Sequence, residues 1–250
     1  MIKLAMRRNP TVFNPLWAVV FPYVIRSSGK YYGSEYTNRE TAFRQIFEEN
    51  RWLSSESRSG YGSTLAYTKR MRTSLENYLE TMNVRVFLDA PCGDFNWMRH
   101  VSLPQGASYI GGDIVASIVD NLQCVHGSPT RSFCRIDIVE GPLPRADLWL
   151  CRDVLIHLPN EDVTNVLRNF ANSQIAYLLT TTHTFPKRNE DIRPGGFRYI
   201  NLQKSPFLLP PPLSTITDFV APEAPRYLGL WSRDQVMAAL GSGSRPLLQL

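Results

Sequence analysis

A G-x-G-x-x-G loop, closely spaced cysteine pairs and long apolar runs are all missing from this sequence of 250 residues. The four cysteines, Cys92, Cys124, Cys134 and Cys151, include no C-x-x-C pair. That excludes a zinc ribbon or a disulfide framework and predicts free thiols in a reducing compartment. No stretch reaches the roughly 18 apolar residues of a membrane span. There is no H-x-x-x-H pair and no acidic triplet, so no metal ligand set is expected. No G-x-G-x-x-G occurs, which removes the cradle that a dinucleotide pyrophosphate needs at a helix N-terminus. No internal repeat is visible.

Acids are also absent from the first 34 positions, where Lys3, Arg7, Arg8, Arg26 and Lys30 fall. Taking these five from the 27 bases leaves 22, equal to the 22 acids, so the net charge of +5 belongs to an N-terminal arm. The remaining body is neutral, which argues against a nucleic-acid partner. Within the arm, Thr11 to Ile25 is apolar and aromatic but is broken by Pro15 and Pro22, unlike the apolar core of a signal peptide. Two readings of residues 1–34 stand: a segment packed over the fold, or a basic, aromatic arm in weak peripheral contact with anionic lipid. The expected location is the cytoplasm, with the inner membrane as the surface such an arm would touch.

What is present is an α/β signature. At 43% hydrophobic content, residues 35–241 suffice for one domain with a full core. Val84 to Leu88 is a short β-rich run whose only charge is Arg85, as fits a strand buried on both faces of a parallel sheet. It delivers Asp89, a Pro-bearing turn and Gly93. A second strand, Ser108 to Ile110, delivers Gly111, Gly112 and Asp113, twenty-four residues beyond Asp89. An acid so placed holds a nucleoside ribose through its hydroxyls. The turn Ala90-Pro91-Cys92-Gly93-Asp94-Phe95 carries an acid where a diphosphate would be repelled, and a carboxylate pair suits a cationic ligand instead.

Here the residues resemble the class I S-adenosylmethionine (SAM)-dependent methyltransferases. The first motif of that family runs acid-x-Gly-x-Gly-x-Gly after strand one, with an acid closing strand two. Asp89, Gly93 and Asp113 match, while Pro91 and Phe95 stand in place of the first and third glycines. Leu-Asp-Ala-Pro-Cys-Gly-Asp is similar to a form found in bacterial members. The resemblance spans roughly Tyr61 to Thr182. It implies a doubly wound, mostly parallel seven-stranded Rossmann-like α/β sheet with helices on both faces, and SAM as the cofactor. It also implies cofactor contacts from Asp89, Ala90, Pro91, Gly93 and Asp94 in the first turn, from Asp113 and Ile114 after strand two, and from Arg152 after strand four. Asp137 falls where family members contact the adenine amino group, although it equally suits a cap on the following turn. Tyr61 and Ser63 sit in a turn-rich segment that either closes over the methionine end of the cofactor or is a plain surface loop.

The rest of the chain fits such a domain. Thr37-x-x-Glu40 reads as a capping box before Ala42, Phe43, Ile46 and Phe47 at helical spacing. Tyr67, Met71, Leu75, Tyr78, Leu79 and Met82 line one side of the next helix. Val115, Ile118, Val119 and Leu122 give a crossover helix. Arg131 to Ile138, Ala146 to Cys151 and Ile175 to Thr182 are strands three to five, and Asn160 is expected to cap the helix of Val163, Val166, Leu167 and Phe170. The tail Thr180 to His183 is polar for a buried element, which marks a site edge. Residues 185–226 form a proline-rich excursion, too long to be filler and expected to bind the acceptor. Tyr227 to Trp231 returns as a strand, Ser232-x-x-Gln235 caps a helix ending at Gly241, and residues 242–250 form a loose tail.

Transfer of a methyl group from a sulfonium needs in-line positioning, and a neutral alcohol acceptor also needs a proton acceptor. In the methyltransferase fold strand four ends beside the methyl group, so Asp153 and His157 are the first candidates. They share one face if Arg152 to Leu158 is helical, and Asp153 would then orient His157 or act itself. A packing role for His157 competes with this reading, and His183 is the reserve base. Phe185, Arg193, Phe197, Arg198, Tyr199 and Asn201 supply aromatic faces and polar forks for a polyhydroxylated acceptor. In this respect the chain resembles bacterial glycan O-methyltransferases, including rhizobial enzymes that methylate fucose on lipo-chitooligosaccharide signals. That implies a sugar hydroxyl of a glycan or glycolipid as acceptor. A small non-sugar acceptor is one alternative. A SAM-binding module without catalysis is another, resting on the departures at Pro91 and Phe95, and an NAD oxidoreductase ranks last. The oligomeric state is not assigned by any of these residues.

Overall fold

The computed structural model describes Tyr36, residues 38–221 and residues 223–242. The expectations for residues 1–34, for Thr37 and for the tail beyond Ser242 lie outside the described residues. Seven strands build one sheet: β1 (Val86–Asp89), β2 (Ser108–Asp113), β3 (Arg131–Arg135), β4 (Leu148–Cys151), β5 (Tyr177–Thr182), β6 (Ser214–Thr217) and β7 (Tyr227–Ser232). Their order is β3-β2-β1-β4-β5-β7-β6. The pairs from β3 to β5 are parallel, and β7 runs antiparallel to both β5 and β6. Winding therefore reverses between β1 and β4, and the crevice beyond their carboxyl ends is where an open α/β sheet places a ligand.

Alternation along the strands divides the core between two faces, because successive side chains point to opposite sides. Leu88, Trp149, Leu178 and Trp231 pack with α4 (Asn160–Asn172) and α5 (Arg233–Ser242). Phe87, Leu148, Leu150, Leu179 and Leu230 pack with α2 (Leu65–Thr81) and α3 (Ala116–His126). The expected doubly wound sheet with helices on both faces is the one observed. The seventh strand was not placed by the sequence pattern: β6 lies inside the excursion, four residues long and directly after a run of prolines.

Three helix starts refine the expected caps. The first helix, α1 (Arg39–Glu48), is capped by Asn38, whose side chain accepts from Thr41 N–H at 3.0 Å. Asn160 is the first residue of α4 rather than its cap, and its N–H donates to Asp191 Oδ1 at 2.7 Å. The cap is thus delivered by the excursion. Ser232 and Gln235 form the reciprocal capping box as read, at 3.0 and 3.2 Å.

Candidate active site

The turn after β1 is shaped by two left-handed residues. Gly93 has a φ of +53°, and a Cβ there would collide with Ser59 Oγ. Phe95 has a φ of +58° although it carries a bulky side chain. Such a conformation costs roughly 1–2 kcal/mol. Its ring is buried against Tyr109, Phe133 and His126, with centroids 5.2, 5.0 and 5.4 Å apart. Burial of a Phe contributes about 1.5–3 kcal/mol, so packing outweighs the strain and a third glycine is not needed.

Asp94 does not reach the cavity described below, contrary to expectation. Its carboxylate accepts from Ser57 Oγ at 2.9 Å, Arg58 N–H at 2.7 Å and Ser59 Oγ at 3.2 Å. The acid staples the preceding loop over the turn, which puts Ser59 and Ser63 on the cavity wall. Tyr61 of that loop packs edge-on against Tyr67 at 5.4 Å, outside the wall. Ala90 and Asp89 are also set back from it. The Ala90 carbonyl accepts from Trp149 Nε1 at 2.8 Å, and the Asp89 carboxylate accepts from Tyr109 O–H at 2.8 Å. Burial pushes the Asp89 carboxyl up to about 7, against the pull of that hydrogen bond.

The cavity, about 870 Å³ of space that includes open solvent at its mouth, lies across the carboxyl ends of β1 to β4. Pro91 to Gly93 lie on one side and Arg152 to Val154 on another. Asp113, Ile114 and Val115 occupy the middle, and Ile136 to Val139 form an apolar end. The roof is α1, whose Arg39, Phe43 and Phe47 recur four apart and so face the same way, together with Trp52. Asp113 accepts from Gly93 N–H at 3.2 Å and from Val115 N–H at 3.0 Å. Burial lifts its carboxyl to about 6, and those backbone donors oppose the rise. Asp137 both lines the cavity and caps its turn: Oδ1 accepts from Val139 N–H and Oδ2 from Arg39, each at 2.9 Å.

Beyond β4 the condition that would put Asp153 and His157 on one face, a helix from Arg152 to Leu158, is not met. Asp153 takes a φ of +57°, and only Leu155–His157 makes a 3-10 turn. The backbone N–H of Asp153 donates to Thr181 Oγ1 at 2.8 Å, so a polar residue at the tail of β5 fixes this bend. The Asp153 carboxylate turns to Arg226 Nη1 at 2.8 Å, not to His157. Burial pushes its pKa upward, but Arg226 and Arg152 outweigh burial and hold it below the ordinary carboxylate value. A carboxylate so stabilised is a weak base. Arg152 itself forks onto Asp218 at 2.9 and 3.0 Å and donates to Gly62 O at 2.8 Å. Arg226 Nε closes the cluster on Asp218 O at 2.9 Å. Two cations and two carboxylates are thereby buried together with no excess charge. Asp218 and Arg226 were missed in the sequence, where the available signal is an acid and a base at the two ends of the connection between β6 and β7.

The two histidines differ. His157 Nδ1 lies 2.6 Å from Gly196 O. A carbonyl only accepts, so Nδ1 carries the proton and Nε2 is the acceptor. Burial lowers the His157 pKa, opposed by the Gly196 bond and by Asp153, which favours a neutral ring near neutral pH. His157 is not itself on the cavity wall; its ring lies 5.4 Å from that of Trp52, which is. His183 is buried, with Nδ1 3.2 Å from Ile200 O, and burial and the charge of Arg226 bring its pKa down to about 3. A group that reluctant to take a proton is a poor base at neutral pH.

Two of the excursion's polar residues are committed inward, which corrects their expected part in gripping an acceptor. Arg198 donates to Leu158 O at 2.6 Å and to Leu155 O at 3.3 Å, and Asn201 donates to Pro186 O at 3.0 Å. Arg198 ties the loop to the turn beyond β4, and Asn201 ties two parts of the loop together. Phe185, Tyr199 and Phe197 form a row of rings with successive centroids 5.0 and 5.1 Å apart, and His157 lies 5.9 Å from Phe197. The row runs out to Phe185, which is 45% exposed. Arg193 is exposed, on the turn closed by Gly196 N–H to its carbonyl at 3.0 Å. Among the described residues no group of three or more His, Cys, Asp or Glu is placed to hold a metal ion, and no helix is long and apolar enough to cross a membrane.

No protein-family model and no curated protein matches the sequence. Solved structures do resemble the fold. Magnesium protoporphyrin IX methyltransferase from Synechocystis PCC 6803, crystallised with bound SAM, aligns with a TM-score of 0.54 at 17% identity, over 79% of this chain and 98% of that one. PigF with S-adenosylhomocysteine gives 0.53 at 16% identity, over 90% and 72%. The mitomycin 7-O-methyltransferase MmcR gives 0.52 at 15% identity, over 77% and 62%. Sheet order, helix placement and these neighbours together give the chain the Rossmann-like fold of the class I methyltransferases.

Proposed function

We propose that this chain is a SAM-dependent methyltransferase that O-methylates an alcohol, with His157 as the proton acceptor. The observation that carries the reading is the cavity, with Asp113 at its middle, an apolar end at Ile136 to Val139, and Asp153 at the other end beside the His157 turn. Those residues fit the cofactor. Asp113 retains free acceptor capacity for ribose hydroxyls, and Ile136 and Ile138 suit the faces of a purine. The G-x-G-x-x-G cradle of a dinucleotide is absent, in keeping with a ligand that has no phosphate. Bound there, SAM supplies an electrophilic methyl group on a sulfonium. His157 Nε2 takes the proton of the attacking hydroxyl, and Gly196 O holds the ring in the tautomer that allows this.

The acceptor is read as a sugar hydroxyl of a bacterial glycan or glycolipid, stacked on Phe185, Phe197 and Tyr199. In support, this aromatic row leads from the exposed surface to His157. A small non-sugar acceptor is the second reading. It is favoured by the inward commitment of Arg198 and Asn201, which takes two polar forks away from any polyol. The test is calorimetric titration with SAM and with NAD, followed by transfer of a labelled methyl group to cell-envelope glycans and to small alcohols and phenols. Binding of NAD in preference to SAM would overturn the cofactor. Transfer to small alcohols alone would decide for the second acceptor. SAM binding without transfer to anything would leave a binding module.

A further inference from the structure

Arg226 is the last residue of the excursion, 73 positions beyond Asp153, and it contacts three elements around the base. It reaches Asp153 Oδ1 at 2.8 Å, Asp218 O at 2.9 Å and the hydroxyl of Tyr67 on α2 at 3.2 Å. Its guanidinium also lies over the Tyr67 ring at 5.3 Å, and its side chain is 12% exposed. Asp153 is four residues from His157 and interacts with it electrostatically, but the hydrogen bond goes elsewhere. We propose that Arg226 is a positioning residue for His157: by keeping the Asp153 carboxylate in the Asp218 cluster, it leaves Gly196 as the partner of Nδ1 and Nε2 as a free acceptor.

The inference rests on His157 being the base. The charged groups that face His157 are Asp153 from the exit of β4, Arg198 from the excursion and Arg226 from the start of β7. The two arginines disfavour the imidazolium and Asp153 favours it. With Arg226 gone, Asp153 keeps only the longer contact to Arg152 Nη1 at 3.7 Å, and its charge beside the ring is less fully offset. The carboxylate then competes with Gly196 O for the Nδ1 proton and stabilises the charged form, the state in which a base cannot accept.

The test is nitrogen-15 NMR titration of the His157 ring in the full chain, for wild type, Arg226→Met, Arg226→Lys and the double variant Arg226→Met with Asp153→Asn. In Arg226→Met the His157 pKa is expected to rise by about one unit, with ring nitrogen shifts moving away from the pure Nδ1–H tautomer. Lysine restores most of the wild-type behaviour, and the double variant returns toward it because the released carboxylate is gone. The acid limb of the kcat/KM profile moves with the NMR value, while SAM affinity stays within about threefold, since Arg226 does not line the cavity. Unchanged ring titration and tautomer in folded Arg226→Met would overturn the proposal. Should that variant not fold, Arg226→Gln gives the same comparison, and an unshifted ring there overturns it equally. Because the ring is read without turnover, failure of the methyltransferase reading would show separately, as normal NMR behaviour with no methyl transfer.

Discussion

Asp113 Oδ2 lies 3.2 Å from the backbone nitrogen of Gly93, so the acid that closes β2 is tied to the turn that follows β1. One residue thereby sets both the shape of the turn and the charge at the middle of the cavity. On the proposed function, Asp113→Ala removes an acceptor for two ribose hydroxyls, each such charge-assisted bond being worth about 1.5–3 kcal/mol. SAM affinity is expected to fall at least about tenfold, which corresponds to about 1.4 kcal/mol. Because burial raises this carboxyl to about 6, affinity in the wild type also weakens as pH drops below that value. Calorimetry at two pH values checks both statements, and an unchanged Kd in a folded variant would remove Asp113 from the ribose site.

Much of this was legible in the sequence, and the physical reason is locality. The strand–turn–strand unit with Asp89, Gly93 and Asp113 is written within about thirty residues, and apolar runs and helical spacing locate the strands other than β6 and the main helices. The doubly wound arrangement with two helix layers is what the methyltransferase resemblance implies. What was not legible depends on distant partners. Asp94 looks like a ligand residue until Ser57 and Ser59 are seen to claim its oxygens. Asp153 looks like a base until Arg226, 73 residues away, is seen to hold it. Arg198 and Asn201 look like acceptor forks because their type is visible and their inward hydrogen bonds are not.

The Asp94 staple gives a second expectation. Asp94→Ala leaves the buried hydroxyl of Ser57 and the N–H of Arg58 without their acceptor, a loss of about 1–3 kcal/mol. Amide exchange over residues 57–63 is expected to quicken, and SAM affinity to fall several-fold because Ser59 and Ser63 lose their place on the wall. Faster exchange with unaltered affinity would separate the loop from the cofactor.

Catalysis provides the third. His157→Ala keeps Asp113 and Gly93 and is expected to bind SAM within a few-fold of wild type, while turnover drops by about 10²–10⁴. Burial lowers the His157 pKa, so the wild-type rate climbs through a midpoint below the ordinary 6.5 and is level by neutral pH. That limb vanishes in the variant. Normal turnover in His157→Ala would remove His157 from the role of proton acceptor.

The fourth concerns stability and the buried Asp89. Its carboxyl is raised from 3.8 to about 7, chiefly by burial, so between those values the folded chain holds a proton that the unfolded chain has lost. By linkage the Asp89 contribution to stability is present below about pH 4 and is lost as pH rises to about 7. At about 1.4 kcal/mol per unit, the loss amounts to roughly 3–5 kcal/mol. The wild-type curve alone will not display it, because His183, lowered to about 3, contributes stability that increases with pH up to about 6.5. The difference between Asp89→Asn and wild type isolates the term. Asparagine keeps a carbonyl oxygen for the Tyr109 hydroxyl, so the hydrogen bond at 2.8 Å survives while the charge does not. Urea unfolding is expected to show the variant gaining on wild type from pH 4 to pH 7, with no further gain above that. A difference that stays flat across this range would mean that Asp89 ionises at its ordinary value in the folded chain, and that the charge of Arg152 offsets the burial more fully than the geometry indicates.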